Sequence, residues 1–128
     1  MGGGNAATVL VLDDDPSLRM LCRVNLELDG YRVLEAASVA EARAALASGA
    51  VDVILLDIHL EDGDGRDLLL ELGPGRPPAA LFTGSEPAAE VTGVADALIP
   101  KPFELGLLRA TVENLVSRGR PAQVDSGR

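Results

Sequence analysis

The chain has 128 residues, room for one domain, and sets eleven Lys and Arg against twenty Asp and Glu for a net charge of -9. Such an acidic chain repels a phosphate backbone, and its only aromatics, Tyr31, Phe82 and Phe103, make no stacking platform, so direct nucleic-acid binding is excluded. Cys22 is the one cysteine, which excludes an internal disulfide or a Cys-based zinc site, and no aliphatic run is long enough for a bilayer.

Residues 1–7 read as a flexible leader with no secretory pattern, so a cytoplasmic protein that avoids membranes is expected. Val9 to Leu12 is aliphatic without polar alternation and stops at Asp13-Asp14-Asp15, as a strand buried on both faces does. Asp15-Pro16 reads as an N-cap with Pro at the first helical position. Leu18, Leu21, Cys22, Leu26 and Leu28 then keep helical spacing up to Asp29-Gly30, with Cys22 in the core. Tyr31 to Ala36 is a second strand. Ser38 and Glu41 form a capping box for a helix with Val39, Ala42 and Leu46 inside, ended by Ser48-Gly49.

Val51 to Leu56 is the third strand, and Asp57 follows it. Residues 61–65 read as a loop in which Asp62 and Asp64 are solvated, with Asp64 capping a helix through Leu68 to Leu72. Pro78 to Phe82 is the fourth strand, ending at Thr83-Gly84. Residues 86–92 hold at most a short helix, and Ala97 to Ile99 is the fifth strand. After a turn at Lys101-Pro102, Leu105, Leu108, Val112, Leu115 and Val116 stripe a last helix. The domain is read as 8–117, with 118–128 a polar tail or the start of a linker. Alternating strands and helices imply an α/β fold, a parallel sheet wound on both faces, with ligands at the carboxyl ends of its strands.

Four strand ends then meet at one edge. They bring Asp13 and Asp14, Asp57, Thr83 and the chain's single lysine, Lys101. Crowded carboxylates repel one another, and a hard divalent cation resolves the conflict; three Asp suit Mg2+. A lysine beside them offers a point charge, and a hydroxyl a further hydrogen bond, to a phosphoryl group. One carboxylate could act as nucleophile and form an acyl phosphate. The blander readings are a solvated turn for Asp13-Asp14, a loop acid for Asp57, a strand-closing Thr83 and a surface lysine. His59, the only histidine, cannot build a histidine metal site, and its side chain is read as lining the rim and tuning water access.

Four segments carry a family resemblance, in order: Val9 to Ser17 (VLVLDDDPS), Leu55 to Leu60 with Asp64-Gly65 after it, Phe82-Thr83-Gly84, and Pro100 to Phe103. The chain resembles a response-regulator receiver domain of two-component signalling, over residues 8 to about 117. The resemblance implies a chemotaxis-regulator-like, flavodoxin-like sheet of order 2-1-3-4-5. It implies Asp57 as phosphoacceptor for a histidine kinase or histidine phosphotransfer protein. Mg2+ would be held by Asp13, Asp14, Asp57 and the backbone carbonyl of His59. Thr83 and Lys101 would contact the phosphoryl group, and the Lys101-Pro102 bond would be cis.

The chain departs from the family pattern in three places. Leu98 stands three residues before the lysine, where Tyr or Phe is usual, so the usual threonine–aromatic switch cannot operate there. The stretch from Thr83 to Lys101 is short and contains Pro87 and Gly93, so the fourth helix should be shortened or irregular. Gly84 replaces a more usual Ala or Ser. The leading expectation is a phosphoacceptor module, not a turnover enzyme, that acts on an unknown downstream protein through protein contacts. The eleven residues after Ser117 are too few for a DNA-binding domain, and a receiver cut from a longer regulator is an alternative that a linker-like tail from Gly119 to Arg128 would suit. The alternatives are a Mg2+-dependent phosphohydrolase with an Asp nucleophile and a pseudo-receiver that binds a partner without phosphate. The phosphohydrolase lacks a second carboxylate beside Asp57 and any insertion long enough for a cap.

Overall fold

Aliphatic β1 (Thr8–Leu12) lies at the heart of the molecule, with all five residues buried. The computed structural model describes residues 6–119; positions 1–5 of the predicted leader 1–7 and 120–128 of the predicted tail 118–128 lie outside them. After β1 come α1 (Pro16–Leu28), β2 (Arg32–Ala36), α2 (Val39–Ala47), β3 (Val53–Asp57), the short β4 (His59–Leu60) and β5 (Gly63–Asp64), and α3 (Gly65–Leu72). The chain continues through β6 (Ala79–Thr83), α4 (Ala88–Val91), β7 (Ala97–Pro100) and α5 (Leu105–Gly119). Five strands form one parallel sheet in the order β2-β1-β3-β6-β7. Counting only the strands of this sheet, that is the order 2-1-3-4-5 of the doubly wound fold the sequence implied.

The central strands β1, β3 and β6 lack polar alternation because both faces of the sheet are covered there, while edge strand β2, with Arg32 and Glu35, is only partly buried. Leu10, Leu12, Ile54, Leu56 and Leu81 point to one face, against Val39, Ala42, Leu68, Leu69 and Val91. Val9, Val11, Val53, Leu55, Phe82 and Ile99 point to the other, against Cys22, Leu26, Leu108, Val112 and Leu115. Burial pushes the Cys22 thiol up to about 12, so this cysteine serves as a small core hydrophobe.

The three predicted caps form. Asp15 Oδ1 accepts the Ser17 N–H, Ser38 Oγ accepts the Glu41 N–H, and Asp64 Oδ1 accepts the Arg66 N–H. The reciprocal half of the predicted box falls one residue early: Glu41 accepts the N–H of Ala37, the residue before the cap, rather than that of Ser38. The fourth helix is a single turn: its N-cap, Pro87, makes no side-chain cap bond, and Gly93 beyond it has φ +87°.

Several expectations need correction. Residues 61–65 are not only loop, because Leu60 pairs with Gly63 and His59 with Asp64 in a small antiparallel hairpin. Asp62 at its tip is not merely solvated: its carboxylate accepts the Val39 and Ala40 N–H groups and so caps α2 from a distance. Leu21 and Leu28 are exposed, since only Leu18, Cys22 and Leu26, four residues apart, keep to the core side of α1. Leu105 is likewise exposed. At the domain's limits, Ala7 is buried and its carbonyl accepts the Arg32 N–H, while α5 runs through Arg118 to Gly119.

Asp96 locks the edge of the sheet opposite the acidic residues. Its carboxylate accepts the Ala79 N–H at 2.8 Å and Arg76 Nη1 at 3.0 Å, and faces Arg118 at 3.7 Å. Burial pushes this carboxyl up, but the Ala79 N–H and the two guanidiniums together hold it below 3.8. Asp96→Ala should cost about 1–2 kcal/mol in urea denaturation at neutral pH, through one orphaned N–H and two lost ion pairs. Because the folded pKa is lowered, this stability is present above 3.8 and is lost as pH falls through the folded value. A cost that stays constant into acid would contradict this account.

Candidate functional site

The carboxyl edge of the sheet gathers the residues singled out from the sequence. β1 and β3 are neighbours, so the chain leaves both strands at the same rim, with Asp13 following Leu12 and Asp57 ending β3. Asp13 is 1% exposed. Its Oδ1 accepts the Asp15 N–H at 2.9 Å, and its Oδ2 accepts Lys101 Nζ at 2.9 Å. Asp57 Oδ1 accepts its neighbour's N–H, from Ile58, at 2.8 Å, and Oδ2 takes the same lysine at 3.3 Å. Asp14 is exposed, and one oxygen of each of Asp13, Asp14 and Asp57 lies within 4.8 Å of the others.

Lys101 follows β7, and its N–H donates to the Thr83 carbonyl at 2.7 Å, fastening it beside the end of β6. Its ammonium stands 5.5 Å from the ring centre of Phe82, which stacks on Phe103 at 5.4 Å. The Lys101-Pro102 bond is cis. Thr83 is half-buried at the same rim. Leu98 is 39% exposed and lies opposite Leu81 in the β6–β7 pairing, so no ring occupies that position.

The electrostatics are lopsided. Burial pushes the Asp13 carboxyl up, and the nearby Asp57 adds to this; the Asp15 N–H and Lys101 pull the other way without prevailing. Burial would lower the Lys101 ammonium, but Asp13 and Asp57 together hold it above its ordinary value. Three carboxylates against one ammonium leave a formal charge of -2 at one rim. A compact oxygen donor set with excess negative charge fits a small hard divalent cation.

Three further residues shape the site, and their roles were not anticipated. Arg19 Nη1 donates to the Asp13 carbonyl at 2.6 Å while its Nε pairs with Glu35, which also holds Arg23. Gly65 packs directly against the Asp57 backbone, a contact between segments that the pair Asp64-Gly65 does not reveal in sequence. The His59 imidazole, read as lining the rim, pairs through Nε2 with Glu86 Oε2 at 2.8 Å. Only the Arg19 spacing, six residues past Asp13 on the next helix, carried any local signal.

Comparison with known proteins agrees with this geometry. The response regulator receiver domain family matches residues 9–113. The transcriptional regulatory protein AruR of Pseudomonas aeruginosa is 36% identical over 93% of this chain and 53% of its own. The KDP operon transcriptional regulatory protein KdpE of Escherichia coli is 32% identical over 86% of this chain and 51% of its own. The chain therefore spans about half the length of the curated relatives it matches. Among solved structures, the chemotaxis response regulator CheY4 of Vibrio cholerae superposes with a TM-score of 0.77 at 25% identity, covering 87% of this chain and 99% of that one. A receiver domain protein of Clostridium thermocellum gives 0.78 at 25% identity, over 88% and 95%. With five parallel strands in this order and three aspartates and a lysine at their carboxyl ends, the chain belongs to the response regulator receiver domain family of two-component signalling.

Proposed function

We propose that Asp57 accepts a phosphoryl group from the phosphohistidine of a histidine kinase or histidine phosphotransfer protein. The observation that carries this is the meeting of Asp13, Asp14, Asp57 and the only lysine at one strand edge. A carboxylate oxygen of Asp57 attacks phosphorus. The new O–P bond forms as the P–N bond to the donor imidazole breaks, and the electron pair leaves with that nitrogen. Lys101, now shared between Asp13 and Asp57, turns to a phosphoryl oxygen, and the Thr83 hydroxyl donates to another.

Asp13, Asp14, Asp57 and the His59 backbone carbonyl would hold Mg2+. When bound, the ion neutralises charge on the phosphoryl oxygens. Lys101 lies within ion-pair reach of two of these three carboxylates, Asp13 and Asp57.

The working unit on this reading is the receiver over residues 8–117, extended by the buried Ala7 and by the end of α5. It signals through protein contacts in the cytoplasm and is consumed and reset rather than turning over a substrate. No helix among the described residues is long and apolar enough to cross a membrane. Leu98 in place of a ring means that the β7 face reports phosphorylation without an inward-turning aromatic at that position.

Incubation with Mg2+ and phosphoramidate, followed by intact mass, tests the reading. The expected result is one lasting phosphoryl adduct that Asp57→Asn abolishes. Steady release of phosphate from esters with no adduct would favour a hydrolase. Absence of both the adduct and Mg2+ binding would leave only a partner-binding module.

A further inference from the structure

Where the chain leaves β1, a single peptide unit joins Asp13 to Asp14, and its carbonyl is left over by the sheet. In the β1–β2 ladder the Ala7 carbonyl accepts the Arg32 N–H, and the Asp13 N–H donates to the Ala36 carbonyl. In the same register the Asp13 carbonyl would next accept the Ser38 N–H. But β2 ends at Ala36, and Ser38 has become the cap of α2. Arg19 fills that place: its Nη1 donates to the Asp13 carbonyl at 2.6 Å.

The guanidinium is itself held. Its Nε donates to Glu35 Oε1 at 3.1 Å, and Glu35 Oε2 takes Arg23 Nη1 at 2.7 Å. Glu35 lies on β2, so the clamp braces the 13–14 peptide against the sheet. The Arg19 side chain is only 17% exposed, and its own N–H donates to the Asp15 carbonyl in the first turn of α1. A planar fork that meets two acceptors at once has little freedom to turn. Two of the three carboxylates at the rim therefore hang from a peptide that is fixed from behind.

Resting on the reading of this rim as a Mg2+-dependent phosphoacceptor site, we propose that Arg19 is a positioning residue for the cation. By fixing the 13–14 peptide it limits how far the Asp13 and Asp14 carboxylates can spread, and so biases the rim toward Mg2+ and away from Ca2+. Mg2+ demands oxygen ligands at about 2.0–2.1 Å in a near-ideal octahedron, whereas Ca2+ accepts about 2.3–2.6 Å and irregular arrangements. Loosening the peptide costs Mg2+ affinity and spares Ca2+.

Backbone amide NMR titrations of the whole chain with MgCl2 and with CaCl2, at constant ionic strength, test this. Arg19→Met keeps the apolar stem and removes the fork. Its Mg2+ affinity should fall roughly tenfold, as when a group orienting a metal ligand is lost, and its Ca2+ affinity by less than about twofold. The sign is diagnostic, because charge alone predicts the reverse: removing a cation beside an acidic rim should tighten both ions. Arg19→Lys keeps the charge but meets only one of the two acceptors, and should fall between wild type and methionine for Mg2+. The same spectra report that each variant is folded. Mg2+ binding as tight as wild type, or tighter, in both variants would overturn the positioning role and leave the metal reading standing. An equal loss for Mg2+ and Ca2+ would overturn the size selectivity, since a merely structural defect weakens both ions alike. No response of the wild-type amides to Mg2+ would remove the metal reading and the role of Arg19 with it.

Discussion

Replacing Lys101 with methionine is expected to destabilise the Mg2+-free protein by about 2–3 kcal/mol at neutral pH, since it strips a nearly buried carboxylate of its cation. Methionine keeps the length and apolar stem, so the loss is one of charge. Asp13 is 1% exposed and bonds Lys101 at 2.9 Å, while Lys101 itself is 28% exposed, which places the cost toward the lower end of that for a fully buried pair. The pH dependence follows from Asp13. Its burial holds the folded pKa above 3.8, so between 3.8 and that value the native state keeps a proton the unfolded chain has released. Stability contributed at this site therefore falls as pH rises through that window. Without Lys101 the folded value moves higher still. The two proteins should match in acid, where Asp13 is protonated in both, and diverge toward neutral. Added Mg2+ should narrow the gap, because a cation bound only by the native state stabilises it by mass action, and the variant offers the three carboxylates without a competing ammonium. Urea midpoints measured across pH, with and without Mg2+, check each part. Equal midpoints without Mg2+ at neutral pH would show that Lys101 does not neutralise this rim.

That lysine shows what a sequence can carry. Asp13, Asp57 and Thr83 were legible because aliphatic runs end on them, and a parallel sheet sends all such ends to one edge. Asp15, Ser38 and Asp64 were legible because a cap and its N–H lie within three residues. Contacts between distant segments left no such trace. Asp62 caps a helix that starts 23 residues earlier, and Glu86 meets a histidine 27 residues away. Both residues look like ordinary loop acids, and only the fold makes them otherwise, by bringing the β4–β5 hairpin against the start of α2 at Asp62 and against the β6–α4 loop at His59. Leu21 and Leu28 failed for a related reason. Helical spacing admits several apolar stripes on α1, and the sheet selects the one through Cys22 and Leu26.

Among the described glycines, Gly65 should tolerate an added methyl group, as in Gly65→Ala, least. Gly65 opens α3, is buried, and donates its N–H to the Ile58 carbonyl at 2.8 Å. Its φ is not in the left-handed region, so what excludes a side chain is space. A Cβ there would run into the backbone carbonyl oxygen of Asp57, with the Asp57 carbonyl carbon and Leu56 Cδ1 each at 3.2 Å. Two of these three obstacles are backbone, which cannot rotate away as a side chain does, so α3 or the end of β3 has to shift. The expected cost is about 3 kcal/mol or more, despite alanine's better helix propensity. Gly106→Ala is the matched comparison: it lies in α5 with nothing within 4 Å of its Cβ, and should stabilise by roughly 0.5 kcal/mol. Since the collision at Gly65 falls on the peptide of Asp57, the proposed phosphoacceptor, the variant should also label more slowly with phosphoramidate under conditions where it remains folded. A urea midpoint and labelling rate equal to wild type would show that the close approach of α3 to Asp57 does not set the position of that carboxylate.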